Sequence, residues 1–410
     1  MSPTRSILTL LLALATAAAR AESGRTALLA EGPPRVAVLA AIEPGRVVLD
    51  DGRPQSIALA DLVEWGVPPE APARPLVVLA DGGLLAAETI AGDRQSLRAE
   101  SEQFGGLELA TAAVAGLVLR APTTQRERDL LLDRIARVQT SPTRQRGTEL
   151  EKGRAGQPDA AVRLILANGD QLQGRLLRIS RQSVELAGDV GPITVARSRL
   201  TAAVFARPPS QSGPRPPLRI WLGTSDGSRL LADRLESDAK GLRAVLAAGP
   251  SIRTRLRDVV WLETVGGRAV HLSDLSAAAY RHVPYLSLAW PYRTDRSVTG
   301  AMLRAGGRLY AKGLGMHSAA RLTYLLEEPL RRFQAELAVD DQTAGGGSVR
   351  FRVFVDGRER FTSATIRGGD RPAAISVDVA GAKRLDLVVD FADRADQLDH
   401  ADWLNARLVR

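Results

Sequence analysis

The sequence predicts a mainly β protein, in which several small all-β repeat units precede a C-terminal antiparallel β-sandwich. Three observations carry this. Apolar and polar residues alternate along much of the chain, as in Val349, Phe351, Val353 and Val355, the period-two mark of a strand with one buried face. Asn-Gly and Asp-Gly pairs separate such runs, at Asp51-Gly52, Asp81-Gly82, Asn168-Gly169, Asp226-Gly227 and Asp356-Gly357. These pairs favour type I′ hairpin turns, which need positive φ at both central residues. Helix-like spacing is confined to one short stretch.

Residues 1–21 read as a secretory signal. Arg5 supplies a positive start, Ile7 to Ala19 an apolar run, and Ala19-Arg20-Ala21 a small-x-small cleavage site. The apolar run is shorter than the roughly 20 residues that span a bilayer, so no transmembrane segment is expected after cleavage. The chain has no cysteine, which excludes disulfides, thiolate metal sites and an acylated cysteine anchor. The expected product is secreted (periplasmic, cell-surface or extracellular) and relies on a core large enough to need no staples.

Two repeat copies are expected over residues 26–120, the first (Val36 to Trp65) degenerate. Helix and linker follow over 121–160, a third copy over 161–209 and a fourth over 218–275. Each copy opens on a strand and turn, as in Leu164 to Gly174, and continues through short alternating strands. A period of about 45 to 60 residues means one small unit repeated, either SH3-like barrels or sheets stacked in series. Leu130, Leu131, Ile135 and Val138 follow Pro122 at helical spacing. Ser141 to Pro158 and Ser210 to Pro217 read as linkers. The repeats carry no recurring histidine, paired carboxylates or aromatic platform, so they read as scaffold, spacer or interaction surface.

Lys+Arg 55 against Asp+Glu 46 gives a formal net charge of +9, a balance that suits nucleic acid, an anionic glycan or an anionic membrane surface. Export, and the lack of a basic helix interleaved with aromatics, argue against nucleic acid.

From about Tyr280 the composition shifts: all five tyrosines fall between Tyr280 and Tyr324. Alternation places Phe333, Ala335, Leu337 and Val339 on one face. Val349 to Val355, Ile375 to Val379 and Leu385 to Phe391 repeat the pattern, which argues for a sandwich over residues 280–410. Two clusters stand out, Lys312-Gly-Leu-Gly-Met-His317-Ser318 and Asp399-His-Ala-Asp402-Trp403. Sugars bind flat aromatic faces and take hydrogen bonds from Asp, Asn, His and Arg. His317, Ser318, Asp341, His400, Asp402, Trp403 and Asn405 are therefore the candidate carbohydrate-binding residues. A core role for Trp403, and a structural role for His317 and His400, stay open, and Lys312 reads as a solvated charge.

With Tyr285-Leu-Ser287, Tyr310 to Ser318, Val339-Asp340-Asp341 and Ala406-Arg-Leu408, these clusters resemble the NPCBM/NEW2 family over Pro284 to Arg410. The resemblance implies a jelly-roll, galactose-binding-like sandwich that binds glycans, often galactose-containing ones, and rides beside glycosidase domains. Asp396 and Asp399 lie in a run of aspartates at every third position, read either as a structural Ca²⁺ site or as a solvated acidic loop. No other cofactor is expected. No catalytic residues are assigned: adjacent Asp340 and Asp341 point to opposite faces of a strand, and hydrolysis of a glycoside needs two carboxyls facing one bond. The expected function is a secreted, non-catalytic protein binding polysaccharide or glycoconjugate. The alternatives are an envelope or extracellular structural protein contacting other envelope proteins, and an accessory subunit of a polysaccharide hydrolase.

Overall fold

The computed structural model describes residues 24–140, 161–188, 191–206, 216–327 and 329–410. The expected signal (1–21) and the linker reading of Ser141 to Pro158 lie outside the described residues. Among the described residues no helix is long and apolar enough to cross a membrane.

Four β units occupy residues 25–66, 76–118, 161–205 and 219–265. In each, a short 3₁₀ turn precedes the last strand. The opening strand of the first unit, Arg25–Leu29, pairs with both Arg35–Glu43 and the closing strand Leu62–Gly66. Arg219–Thr224 of the fourth unit does the same with Arg229–Asp238 and Val259–Val265. A strand paired on both sides lies inside its sheet, so each of these two units is a five-stranded antiparallel sheet with the opening strand next to the closing one.

The units do not follow one another as beads. Closing strand pairs with closing strand: Leu62–Gly66 of the first with Val259–Val265 of the fourth, and Val114–Val118 of the second with Leu200–Phe205 of the third. Single ladders from Thr89–Asp93 to Gln171–Ile179 and from Leu84–Ala86 to Arg229–Asp238 tie the pairs together. The closing strands' free edges are thus covered, and one apolar core runs through all four units.

Turn chemistry departs from expectation. Asp356 and Gly357 both have positive φ (50° and 78°), as a type I′ turn needs. At Asp81-Gly82, Asn168-Gly169 and Asp226-Gly227 only the glycine does, at 94°, 91° and 93°. There the strand bonds across a three-residue loop, for example Leu166 N–H to Asp170 O at 2.9 Å and Gly169 N–H to Leu166 O at 3.0 Å. This is a type I turn followed by a left-handed glycine.

One helix, Gln125–Thr140, follows the second unit. Thr124 Oγ1 and Glu127 exchange side-chain and backbone bonds at its start, a capping box. It packs Leu131, Leu132 and Ile135 against the second and third units, so Leu131 and Ile135 lie on the expected face, while Leu130 is exposed and Leu132 takes its place.

The C-terminal domain is two facing sheets. One runs Arg293–Thr294, Gly313–His317, His400–Val409, Arg332–Val339, Ala373–Asp378; the other Ala279–His282, Ala320–Leu325, Arg384–Phe391, Ser348–Val355, Arg358–Thr362. Phe333, Leu337, Val349, Phe351, Val353, Leu385, Leu387 and Val389 meet between them. The last strand is buried along its whole length except His400, because its far face docks on the repeats. There Glu64, wholly buried, accepts from Trp261 Nε1 (3.1 Å), Arg308 Nη2 (2.6 Å) and Asn405 Nδ2 (3.3 Å). Burial raises the Glu64 carboxyl despite Arg308 beside it. Such a network adds little net stability, but removing one partner leaves a costly buried group.

Candidate ligand site at the sandwich rim

Gly313–His317 lies beside His400–Val409 so that His317 and His400 are direct cross-strand partners. Cross-strand partners have neighbouring side chains on the same face, and the two imidazole centroids are 6.0 Å apart. Ala279–His282, in the opposing sheet, ends beside them, bringing the His282 ring to 5.9 Å from His317. The chain then loops through Val283 to Ala289 and returns Trp290 over the group. Its indole lies parallel to His317, centroids 5.0 Å apart at 4°, and 5.9 Å from His400. Trp290 is pinned by its N–H donating to His282 Nδ1 (3.2 Å) and its carbonyl accepting from Tyr280 Oη (2.7 Å).

All three imidazoles are held below their ordinary pKa. Burial is the main cause in each; for His317, pushed down to about 4, neighbouring His400 adds to it. At neutral pH each ring is uncharged and offers one donor and one acceptor nitrogen. His400 Nδ1 has no hydrogen-bond partner among the described residues. An indole over a trio of neutral imidazoles suits a neutral polyol: a C–H face for the ring and hydroxyls that both give and take protons.

Of the seven expected residues the structure gathers His317, Ser318 and His400. The rest are elsewhere. Trp403 is 0 % exposed, its ring edge-on to Phe351 at 4.9 Å and tilted against Phe333 at 6.0 Å. It is a core side chain, which corrects the reading of Trp403 as a stacking platform. Strand alternation turns it between the two sheets, while Asp402 and Leu404 lie on the strand's other face, also covered. Asp402 is equally buried, set against the Asp340 carboxyl, and raised well above the usual carboxylate range by burial and then by Asp340. Asn405 sits at a bulge with φ 47° and faces Glu64 across the domain seam. Asp341 accepts from Gly306 N–H (3.0 Å) and Gly307 N–H (2.9 Å), fixing a hairpin turn. Lys312 is not solvated: it is 9 % exposed and bonded to Asp274 (2.5 Å) and Asp295 (3.0 Å).

The sequence reading missed Trp290 and His282. Both sit at the ends of an irregular stretch with no strand period, eight residues apart in the aromatic-rich run from Tyr280 to Tyr292. That local density was the available signal.

Asp399 Oδ1 accepts from Ser348 N–H (2.9 Å), and burial lifts its carboxyl to about 6. Among the described residues no group of three or more histidines and carboxylates is placed to hold a metal ion.

A sequence model of the NPCBM/NEW2 domain matches residues 268–409. The chain is 34 % identical over 110 residues to a Renibacterium salmoninarum protein named "Putative endo-alpha-N-acetylgalactosaminidase", covering 27 % of this chain and 7 % of that protein. It is 34 % identical over 117 residues to the Akkermansia muciniphila protein named alpha-1,3-galactosidase B, covering 28 % of this chain and 15 % of that one. It thus spans a small fraction of the length of these curated relatives. Among solved structures, CBM51 from Clostridium perfringens GH95 in complex with methyl-galactose aligns at 26 % identity and a TM-score of 0.31, covering 34 % of this chain and 99 % of that one. Residues 268–409 are an NPCBM/NEW2 domain, of the carbohydrate-binding-module class.

Proposed function

We propose that this is an exported, non-catalytic glycan-binding protein whose sandwich rim takes a galactose-type sugar on Trp290, with His282, His317 and His400 addressing its hydroxyls. The single observation that carries the reading is the parallel stack of Trp290 on His317. It holds the indole in place before any ligand arrives, which lowers the ordering cost of binding. Two relatives whose names specify galactosidase and acetylgalactosaminidase activity support the choice of sugar. The four β units pair into one body, which favours a rigid base for the sandwich over an extended spacer.

The test is a glycan array and titration calorimetry on the full chain, with and without calcium. Galactose-terminated glycans should bind wild type, and Trp290→Ala should lose binding while keeping its melting temperature. A folded wild-type protein that retains no glycan sinks the proposal and leaves the envelope-protein alternative. A calcium requirement would assign an ion to the Asp396–Asp399 loop. Co-purification of a hydrolase would favour the accessory-subunit reading.

A further inference from the structure

A cavity lies away from the rim, where the fourth β unit meets the second unit, the helix and the sandwich. Its volume is about 580 Å³, within the roughly 300–1,000 Å³ range of small-molecule sites. The floor is one face of the fourth unit's sheet. On adjacent strands Trp221 pairs with Glu263, and Gly223 with both Trp261 and Arg229. In a lone unit this face would meet water. Here Leu132 and Ala136 of the helix, Val78 and Leu84 of the second unit, and Met302 of the sandwich roof it over.

What lies on that floor is unlike a packing seam. Trp221 and Trp261 form an indole wall, centroids 6.4 Å apart and 27° from parallel. Glu263 is 1 % exposed, and neither carboxyl oxygen has a hydrogen-bond partner. His271 Nε2 is 3.9 Å away, outside bonding distance. Arg229 carries a buried Nε that is likewise unpartnered, and its guanidinium is pressed down to about 10 by burial and then by Arg296 nearby. Buried polar groups are nearly always bonded, so two such groups facing one cavity call for an occupant.

Charge narrows the class. Arg219, Arg229, Arg296 and Lys312 line the cavity with Asp81, Asp274, Asp295 and Glu263. Burial holds the Glu263 carboxyl well above its ordinary value. Lys312 is already taken by Asp274 and Asp295, and Arg296 stands 4.0 Å from Asp133. Arg229, with its buried Nε unpartnered, is the cation left facing the space, and a carboxylate is the anion an arginine binds best. A polyanion would meet the carboxylates of Asp274 and Asp295, which suit hydroxyl donors instead.

We propose that this chamber is a second ligand site, distinct from the rim, that takes a small sugar acid with one carboxylate. Arg229 faces the carboxylate, the indole wall takes the ring's C–H face, and Glu263 bonds a hydroxyl.

The test is calorimetry and tryptophan fluorescence on the full chain with galacturonate, against galactose and acetate. Digalacturonate separates a free sugar acid from the end of a polymer, since only an open mouth admits the longer chain. Galacturonate should bind wild type and Trp290→Ala alike, and at least roughly tenfold more tightly than acetate. Arg229→Gln should weaken it roughly tenfold or more. Trp221→Ala, at a partly exposed position, gives a second reading should Arg229→Gln fold poorly. The proposal is overturned if folded wild type shows neither heat nor fluorescence change. It is equally overturned if Trp290→Ala abolishes binding while Trp221→Ala and Arg229→Gln spare it, because the rim is then the site.

Discussion

Replacing Trp403 by alanine separates a core side chain from a sugar platform. Trp403 is fully buried and packs on Phe351 and Phe333, so its loss removes one of the largest side chains of the core. Large aromatic to alanine changes cost about 3–5 kcal/mol. The edge-to-face contact with Phe351 places this one toward the upper part of that range, since such pairs add about 0.5–1.5 kcal/mol. For a domain of this size each kcal/mol moves the melting point by roughly 2–4 °C, so the sandwich should melt roughly 10 °C lower. The assay is near-UV circular dichroism on heating, paired with galactose titration well below the transition. Binding should survive there, because Trp403 does not reach the rim. Trp403→Phe should cost far less, since the indole N–H has no partner to lose. A Trp403→Ala protein that melts like wild type but no longer binds would refute this reasoning.

Further outcomes follow from the same geometry. Glu64→Ala strips Arg308, Asn405 and Trp261 of their shared acceptor and should cost roughly 3 kcal/mol, splitting calorimetric unfolding into separate repeat and sandwich transitions. Gly66→Ala should destabilise by several kcal/mol, on the order of 3, because φ is +84° and the new Cβ would sit 2.0 Å from Val260 O; urea denaturation reads it. His317 takes its proton at about 4 when folded, against 6.5 ordinarily. The unfolded chain therefore binds that proton first, and stability falls as pH drops from about 6.5 to about 4. Asp399, raised to about 6, acts in the opposite sense over that window. The clean readout is thus the difference between wild type and His317→Asn, whose stability should decline less steeply on acidification. Sugar binding should weaken in the same direction, as protonated imidazoles lose their acceptor nitrogens.

What could be read from residues alone was what local geometry dictates. Strand pleating forces period two, so Val349, Phe351, Val353 and Val355 announced their buried face, and Phe333 to Val339 theirs. Phe391 continued the pattern yet is 47 % exposed, because its strand ends at the rim. Glycine at the loop positions was legible, but not which turn it serves, since that depends on how the two strands register. His317 and His400 were visible as site candidates because each stands in a dense polar cluster. Trp403 stood in the same cluster and went inward, because alternation assigns neighbours to opposite faces and only the paired sheet tells which face is the core. Closing strand against closing strand, Glu64 opposite Glu263, and the roofed cavity over Trp221 all join residues far apart in sequence. Nothing in a local pattern encodes such pairings; they arise when edges and outward faces find partners, which the folded chain alone decides.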